Sequence, residues 1–136
     1  MDVEILLFEG FDELDAIAPY ETFRSASGPI DARLVTPDPA DTVEAKSGLR
    51  VEPDDTVSAS PDALLIPGGG WNDHGPGVQH EYERGEIPEL IADRFESGAV
   101  VASVCTGSLL LAAAGVLDGR PAATHHTARG DLREMG

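Results

Sequence analysis

The sequence has a single cysteine, Cys105, among its 136 residues. One cysteine excludes a disulfide within the chain, which is typical of a reducing compartment, and we expect a cytoplasmic location. Long hydrophobic runs are also lacking, since none approaches the roughly 18 apolar residues of a membrane-spanning helix. The N-terminus, MDVEILLFEG, is acidic and begins directly as a predicted strand, unlike a signal peptide. We therefore expect no membrane partner.

Basic residues are scarce as well. Nine Lys and Arg stand against 25 Asp and Glu, the net charge is −16, and Lys46 is the only lysine. Nucleic-acid binding needs clustered cations to neutralise phosphates, so this composition excludes it. The acids are spread along the chain. Their negative charges repel one another at low salt, and the protein tolerates this repulsion when salt screens it. This composition resembles that of proteins from extreme halophiles. The alternative is an acidic protein of a mesophilic organism.

Apolar runs and amphipathic segments alternate along the chain. Buried strands are predicted over 3–8, 31–37, 62–67 and 99–104, with a short fifth strand over 122–126. Helices are predicted in 11–27, over 87–98 and from Gly107, with Asp12 as an N-cap and a kink or separate first turn at Pro19. Residues 42–57 resemble a polar hairpin turning at 47–48. The pattern predicts one α/β domain, 1–136, with a mainly parallel sheet.

The loops that follow the strands contain the candidate chemistry, because ligands of parallel sheets bind at the carboxyl ends of the strands. In S-V-C-T-G, residues 103–107, small residues flank Cys105 two positions away on both sides. A sharp strand-to-helix turn needs this, as in a nucleophile elbow. The adjoining helix N-terminus is expected to favour the thiolate and lower the thiol pKa. The alternative is a free cysteine buried as a small hydrophobic residue.

Two further groups are candidates near this thiol. The glycines 68–70 end the third core strand, where backbone N–H groups of Gly69 or Gly70 could form an oxyanion hole with the N–H of Thr106. An ordinary flexible turn is the alternative. Asp15 lies among the apolar residues Leu14, Ala16 and Ile17, which suggests that it faces inward and exchanges protons with the thiol. Among 25 acids, however, the sequence alone would not select it.

Histidines follow the elbow at 125 and 126. His125 or His126 could act as a base or orient the thiol, or could simply lie near the surface. A zinc site from Cys105, the two histidines and His74 lacks the usual ligand spacing, so we predict no metal and no other cofactor.

Taken together, the segments LLFEGFDELDAIAPYETF, LLIPGGG and VVASVCTGSLLLAAAGVLDGRPAATHH resemble the ThiJ/PfpI family of the class I glutamine amidotransferase-like superfamily. The resemblance covers essentially the whole chain. It implies a flavodoxin-like, three-layer α/β/α sandwich that is usually a homodimer. The C-T-G-S-L-L-L-A-A-A-G style, with Asp in the first helix, is most similar to isonitrile hydratases and to the related domains of AraC-type regulators.

By the same resemblance, Cys105 matches the reactive cysteine and Asp15 the acidic residue that hydrogen-bonds it. Gly69 or Gly70 with Thr106 matches the oxyanion-binding backbone, and His125 matches a histidine near the thiol in some members. Family members generally continue for roughly another third of a chain, so we expect a truncated form or a sheet completed elsewhere.

The predicted function is that of a cysteine-dependent hydratase or hydrolase acting on a small electrophile, and the resemblance implies an isonitrile as the substrate. Two alternatives stay open: a glyoxalase-like or deglycase-like activity on reactive aldehydes, and a sensing domain in which Cys105 is oxidised without turnover.

Overall fold

The computed structural model describes residues 1–135 and contains a five-stranded parallel sheet. Its strands are β1 (Asp2–Leu6), β2 (Asp31–Thr36), β5 (Asp55–Thr56), β6 (Ala63–Ile66) and β7 (Val100–Ser103), in the order β5-β2-β1-β6-β7. Ile5 of the central strand pairs with Leu34 on one side and Leu65 on the other. The mainly parallel α/β fold predicted from the sequence is confirmed.

A two-stranded antiparallel hairpin lies outside this sheet, formed by β3 (Val43–Glu44) and β4 (Arg50–Val51). It turns at 47–48, as the sequence predicts. The predicted hairpin was too long at its end, however, because residues 55 and 56 leave it and pair with β2 in the main sheet.

Within residues 1–135, five α-helices accompany the strands: α1 (Glu13–Ser25), α2 (Val78–Arg84), α3 (Glu86–Glu96), α4 (Gly107–Ala113) and α5 (Arg129–Glu134). The Asp12 side chain caps α1 by accepting the N–H of Leu14 at 3.1 Å. The helix continues through Pro19, so the prediction of a separate first turn is wrong. No helix in the described part of the chain is long and apolar enough to cross a membrane.

The predicted fifth strand over 122–126 is wrong. Residues 121–125 are irregular, and a 3₁₀ turn, His126–Ala128, leads into α5. The reason is local: the His125 side chain accepts the N–H of Thr127 at 3.3 Å and so caps the turn. This hydrogen bond fixes a helical start where a strand would have to continue.

The core lies between the sheet and the helices and holds most of the buried large side chains, among them Ile5, Leu64, Ile66, Leu109 and Leu110. The loop after β1 is joined to the loop after β6 by a bridge between Phe11 and Gly69 and by the Asp12 N–H donating to the Gly68 carbonyl at 2.8 Å. The carboxyl ends of β1, β6 and β7 therefore meet at one edge of the sheet.

Candidate active site

Cys105 stands at a strained turn between β7 and α4. Its φ of 55° lies in the left-handed region, which residues other than glycine rarely adopt. Two residues later, a Cβ on Gly107 would lie 2.3 Å from the carbonyl oxygen of Ile66 and 2.7 Å from that of Pro67. The glycine is therefore required for α4 to pack against β6. This is the geometry of a nucleophile elbow, and its strain is typical of a functional position.

The thiol itself is half-buried, and burial raises its pKa above the ordinary value. The backbone N–H of Thr106 lowers the pKa, while the negative charge of Asp15 raises it. The net direction is upward. The expectation that the adjoining helix N-terminus lowers the thiol pKa is therefore wrong, because the hydrogen bonds from Thr106 do not offset burial and the neighbouring carboxylates.

Asp15 lies in the first turn of α1 and faces the elbow. Its Oδ2 accepts the N–H of Gly68 at 3.2 Å. Burial raises the pKa of this carboxyl, as does the charge of Asp12, whereas hydrogen bonds from Gly68 and from the Cys105 thiol lower it. Leu14 is 72 % exposed, so the apolar neighbours of Asp15 do not all point inward as the sequence suggested.

Gly68 shows how closely these groups converge. A Cβ on this residue would lie 2.8 Å from Asp15 Oδ2, 2.9 Å from Cys105 Cβ and 3.0 Å from the Thr106 nitrogen. Carboxyl, thiol-bearing carbon and backbone donor thus surround one small volume. The thiol of Cys105 and the carboxyl of Asp15 are therefore close enough to exchange a proton. Moving the thiol proton to Asp15 would leave a thiolate beside a neutral carboxylic acid without changing the total charge of the pair.

Of the two glycines proposed for the oxyanion hole, Gly69 has its N–H engaged within the protein. The N–H of Gly69 donates to Thr106 Oγ1 at 3.0 Å, and that hydroxyl donates in turn to the Gly69 carbonyl at 2.9 Å. Gly70 accepts the N–H of Gln79 and lies against Asp73. The predicted oxyanion role therefore stays a prediction, with the Thr106 N–H next to the thiol as its best-placed donor. The hydroxyl of Thr106 therefore joins the loop after β7 to the loop after β6, a role that the sequence did not predict.

His125 is exposed and hydrogen-bonds Thr127 Oγ1 through Nδ1 at 2.8 Å, and its ring lies 4.3 Å from that of His126. Within residues 1–135 no hydrogen bond joins it to Cys105 or Asp15. The preceding Thr124 contacts the elbow instead, donating to the Cys105 carbonyl at 3.1 Å. No cluster of three His, Cys, Asp or Glu suited to a metal ion occurs in the part of the chain that the structure describes.

The only lysine of the chain also lies close to the site. Lys46 Nζ is 3.3 Å from Asp12 Oδ2, and its charge lowers the pKa of Asp15. Its backbone N–H donates to the Phe11 carbonyl, and Ser47 donates to Glu13 Oε2 at 2.9 Å. The β3–β4 hairpin thereby fixes the start of α1, which carries Asp15. The scarcity of lysine was the one signal in the sequence that could have pointed to this residue.

Comparison with known proteins places this constellation in a family. The profile of the DJ-1/PfpI family matches residues 1–136. The chain belongs to the DJ-1/PfpI family. An isonitrile hydratase of Pseudomonas putida is 33 % identical over 127 residues, which are 92 % of this chain and 52 % of that protein. A deglycase of Thermococcus kodakarensis is 31 % identical over 140 aligned residues, covering all of this chain and 79 % of the deglycase.

Among solved structures, a ThiJ/PfpI family protein of Pseudomonas syringae superposes on this DJ-1/PfpI chain with a TM-score of 0.86 at 30 % identity. The match covers 99 % of this chain and 54 % of that protein. The ThiJ/PfpI resemblance and the flavodoxin-like α/β fold are therefore confirmed. The chain spans about half the length of the isonitrile hydratase and of the P. syringae structure.

Proposed function

We propose that this DJ-1/PfpI chain is a cysteine-dependent hydratase that adds water to a small electrophilic carbon, with an isonitrile as the best substrate candidate. The observation that carries the proposal is the convergence of Cys105, Asp15 and the Thr106 N–H around Gly68. Supporting it is the 33 % identity to an isonitrile hydratase, a relative of which the chain spans about half.

In the proposed reaction the Cys105 thiol gives its proton to Asp15 and the thiolate attacks the terminal carbon of R–N≡C. Asp15 returns the proton to that carbon, which gives the thioimidate R–N=CH–S–Cys. Water then adds to the C=N carbon, the C–S bond breaks and R–NH–CHO leaves, with the thiol restored. The Thr106 N–H stabilises negative charge that develops during the addition. The reaction, as written, balances without a cofactor.

The raised pKa of the Asp15 carboxyl suits this cycle and counters the raised pKa of the Cys105 thiol, which opposes loss of its proton. A carboxyl whose pKa is raised by burial accepts a proton from the thiol more readily than a solvated one, and the pair carries one negative charge in either arrangement. Formation of the thiolate therefore needs a proton transfer within the site rather than loss of a proton to solvent.

The test is formation of an N-substituted formamide from an alkyl isonitrile by the full chain in molar KCl. Cys105→Ala and Asp15→Asn should each abolish turnover, whereas Glu21→Gln, an exposed acid on the same helix, should retain it. Formamide production that survives Cys105→Ala would refute the proposal.

Deglycase-like chemistry on a reactive aldehyde is the second candidate, favoured by the T. kodakarensis relative, of which the chain covers 79 %. There the same thiolate would add to a carbonyl and form a hemithioacetal. Turnover of methylglyoxal without any turnover of isonitrile would select it. Oxidation of Cys105 with neither turnover would favour a sensing domain instead.

A further inference from the structure

Most cations of this acidic protein are held by other side chains. Ion pairs to carboxylates engage Arg24, Arg33, Lys46, Arg84 and Arg94. Arg120 lies over the Phe95 ring, 5.7 Å from its centroid. Among residues 1–135 the remaining cations, Arg50, Arg129 and Arg133, have no carboxylate partner. In a chain of net charge −16, an arginine without a partner is unexpected.

Two of these three arginines line one cleft. Arg129 and Arg133 lie four residues apart on α5, which places them on the same side of the helix. Together with His126 and Thr124 they line a cavity of about 400 Å³, whose walls also include Leu132. No acidic residue is among those that line it. Asp131 of the same helix is engaged elsewhere, since it accepts the Trp71 indole N–H at 3.0 Å.

The cleft adjoins a smaller recess that offers apolar side chains. A second cavity, of about 160 Å³, shares Leu132 and Arg133 with the first and is lined by Leu117 and Met135. Its lining also includes Asp118 and Arg120, neither of which lines the first cavity. The arginines of the first cavity thus adjoin the apolar side chains of Leu117, Leu132 and Met135 in the second. This arrangement suits a molecule with an anionic head and an apolar body.

We propose that the cleft between Thr124 and α5 binds an organic anion, with its carboxylate or phosphate group held by Arg129 and Arg133 and its apolar part against Leu132 and Met135. Guanidinium groups are the cations best shaped for such oxyanions. Thr124 also hydrogen-bonds the Cys105 carbonyl, so the ligand would bind next to the elbow. The proposal does not depend on the chemistry of the thiol.

The experiment is an NMR titration of the ¹⁵N-labelled full chain at constant ionic strength set with KCl. Benzoate and phenyl phosphate are the probes, and inorganic phosphate is the matched anion without an apolar body. We expect saturable shifts of the Thr124, Arg129 and Leu132 amides. Phenyl phosphate should bind about tenfold more tightly than inorganic phosphate, because part of the ring is buried. The tighter of the two aromatic probes identifies the head group.

Arg129→Ala and Arg133→Ala should each weaken probe binding about tenfold, whereas Arg50→Ala, the third unpaired arginine, should leave it unchanged. Shifts that do not saturate, or an equal effect of Arg50→Ala, would mean that the anions respond only to general charge and would overturn the proposal. So would shifts of the same amides with protein concentration alone, since a second copy of the chain would then fill the cleft.

Discussion

Gly68→Ala tests the site most directly, because it adds one methyl group at the point where the reactive groups converge. The new Cβ would lie 2.8 Å from Asp15 Oδ2, 2.9 Å from Cys105 Cβ and 3.0 Å from the Thr106 nitrogen. All three distances are well below an ordinary van der Waals contact of about 3.5–4.0 Å. Two of the three neighbours belong to the elbow, so the carboxyl of Asp15 is the group that can move.

We expect Asp15 to lose its contact with the thiol and with the Gly68 N–H. A displacement of about 1 Å in such a site lowers turnover about 100-fold, and the overpacking costs about 1–3 kcal/mol of the free energy of unfolding. The measurements are kcat/KM for isonitrile hydration, the pH profile of Cys105 alkylation by iodoacetamide, and urea unfolding. The control is Gly130→Ala, whose Cβ would meet no atom within 4 Å.

The reasoning would be refuted if Gly68→Ala left turnover, the alkylation profile and the stability at their wild-type values. A double variant with Asp15→Ala separates the clash from general damage. Because removing the carboxyl relieves the contact at 2.8 Å, the destabilisation by Gly68→Ala should be smaller in the Asp15→Ala background than in the wild type. Additive losses would show that the methyl group does not press on Asp15.

Four further predictions concern Asp15, the buried Glu4 and the oligomeric state. Asp15→Asn removes a charge that raises the pKa of Cys105, so the pH profile of Cys105 alkylation by iodoacetamide should shift to lower pH even though turnover is lost. A shift to higher pH would contradict the role assigned to Asp15. The control Glu21→Gln should leave the alkylation profile unshifted. Since the folded-state pKa of Asp15 is raised above 3.8, the stability that its protonation contributes is present at low pH and is lost as pH rises. Asp15→Asn should therefore have a higher Tm than the wild type at pH 7. The difference should shrink as the pH falls through the folded-state pKa of Asp15 towards 3.8. A difference that stays constant with pH would refute this. Glu4→Gln should lower the free energy of unfolding, measured in urea, by about 2–3 kcal/mol. The reason is that the buried Glu4 carboxylate pairs with Arg33 at 3.1 Å and accepts the Ser58 N–H at 2.9 Å. An effect as small as that of the control Glu96→Gln, at an exposed acid, would refute this prediction. The predicted homodimer is checked by sedimentation equilibrium of the full chain in molar KCl, and a monomer at all concentrations would rule it out.

The sequence by itself determined the local features of this protein. Continuous apolar runs specify strands buried on both faces, as in β1, and Asp12 specifies the start of α1 because its side chain can accept a helix N–H. The small residues around Cys105 specify a tight turn, since Gly107 alone allows the backbone to approach β6. Such signals act within a few residues, and for this reason a single sequence is enough to read them.

Only the tertiary structure decided which residues of distant segments meet. Asp15 became the partner of Cys105 because the bridge between Phe11 and Gly69 aligns the loops after β1 and β6, and nothing in a chain of 25 acids marks it. The direction of the thiol pKa likewise depends on burial and on that carboxylate, neither of which the turn itself contains. Gly68 rather than Gly69 faces the reactive groups because of where β6 ends relative to the elbow. His125 turned to cap its own helical turn, a local hydrogen bond that left Thr124 in contact with the elbow.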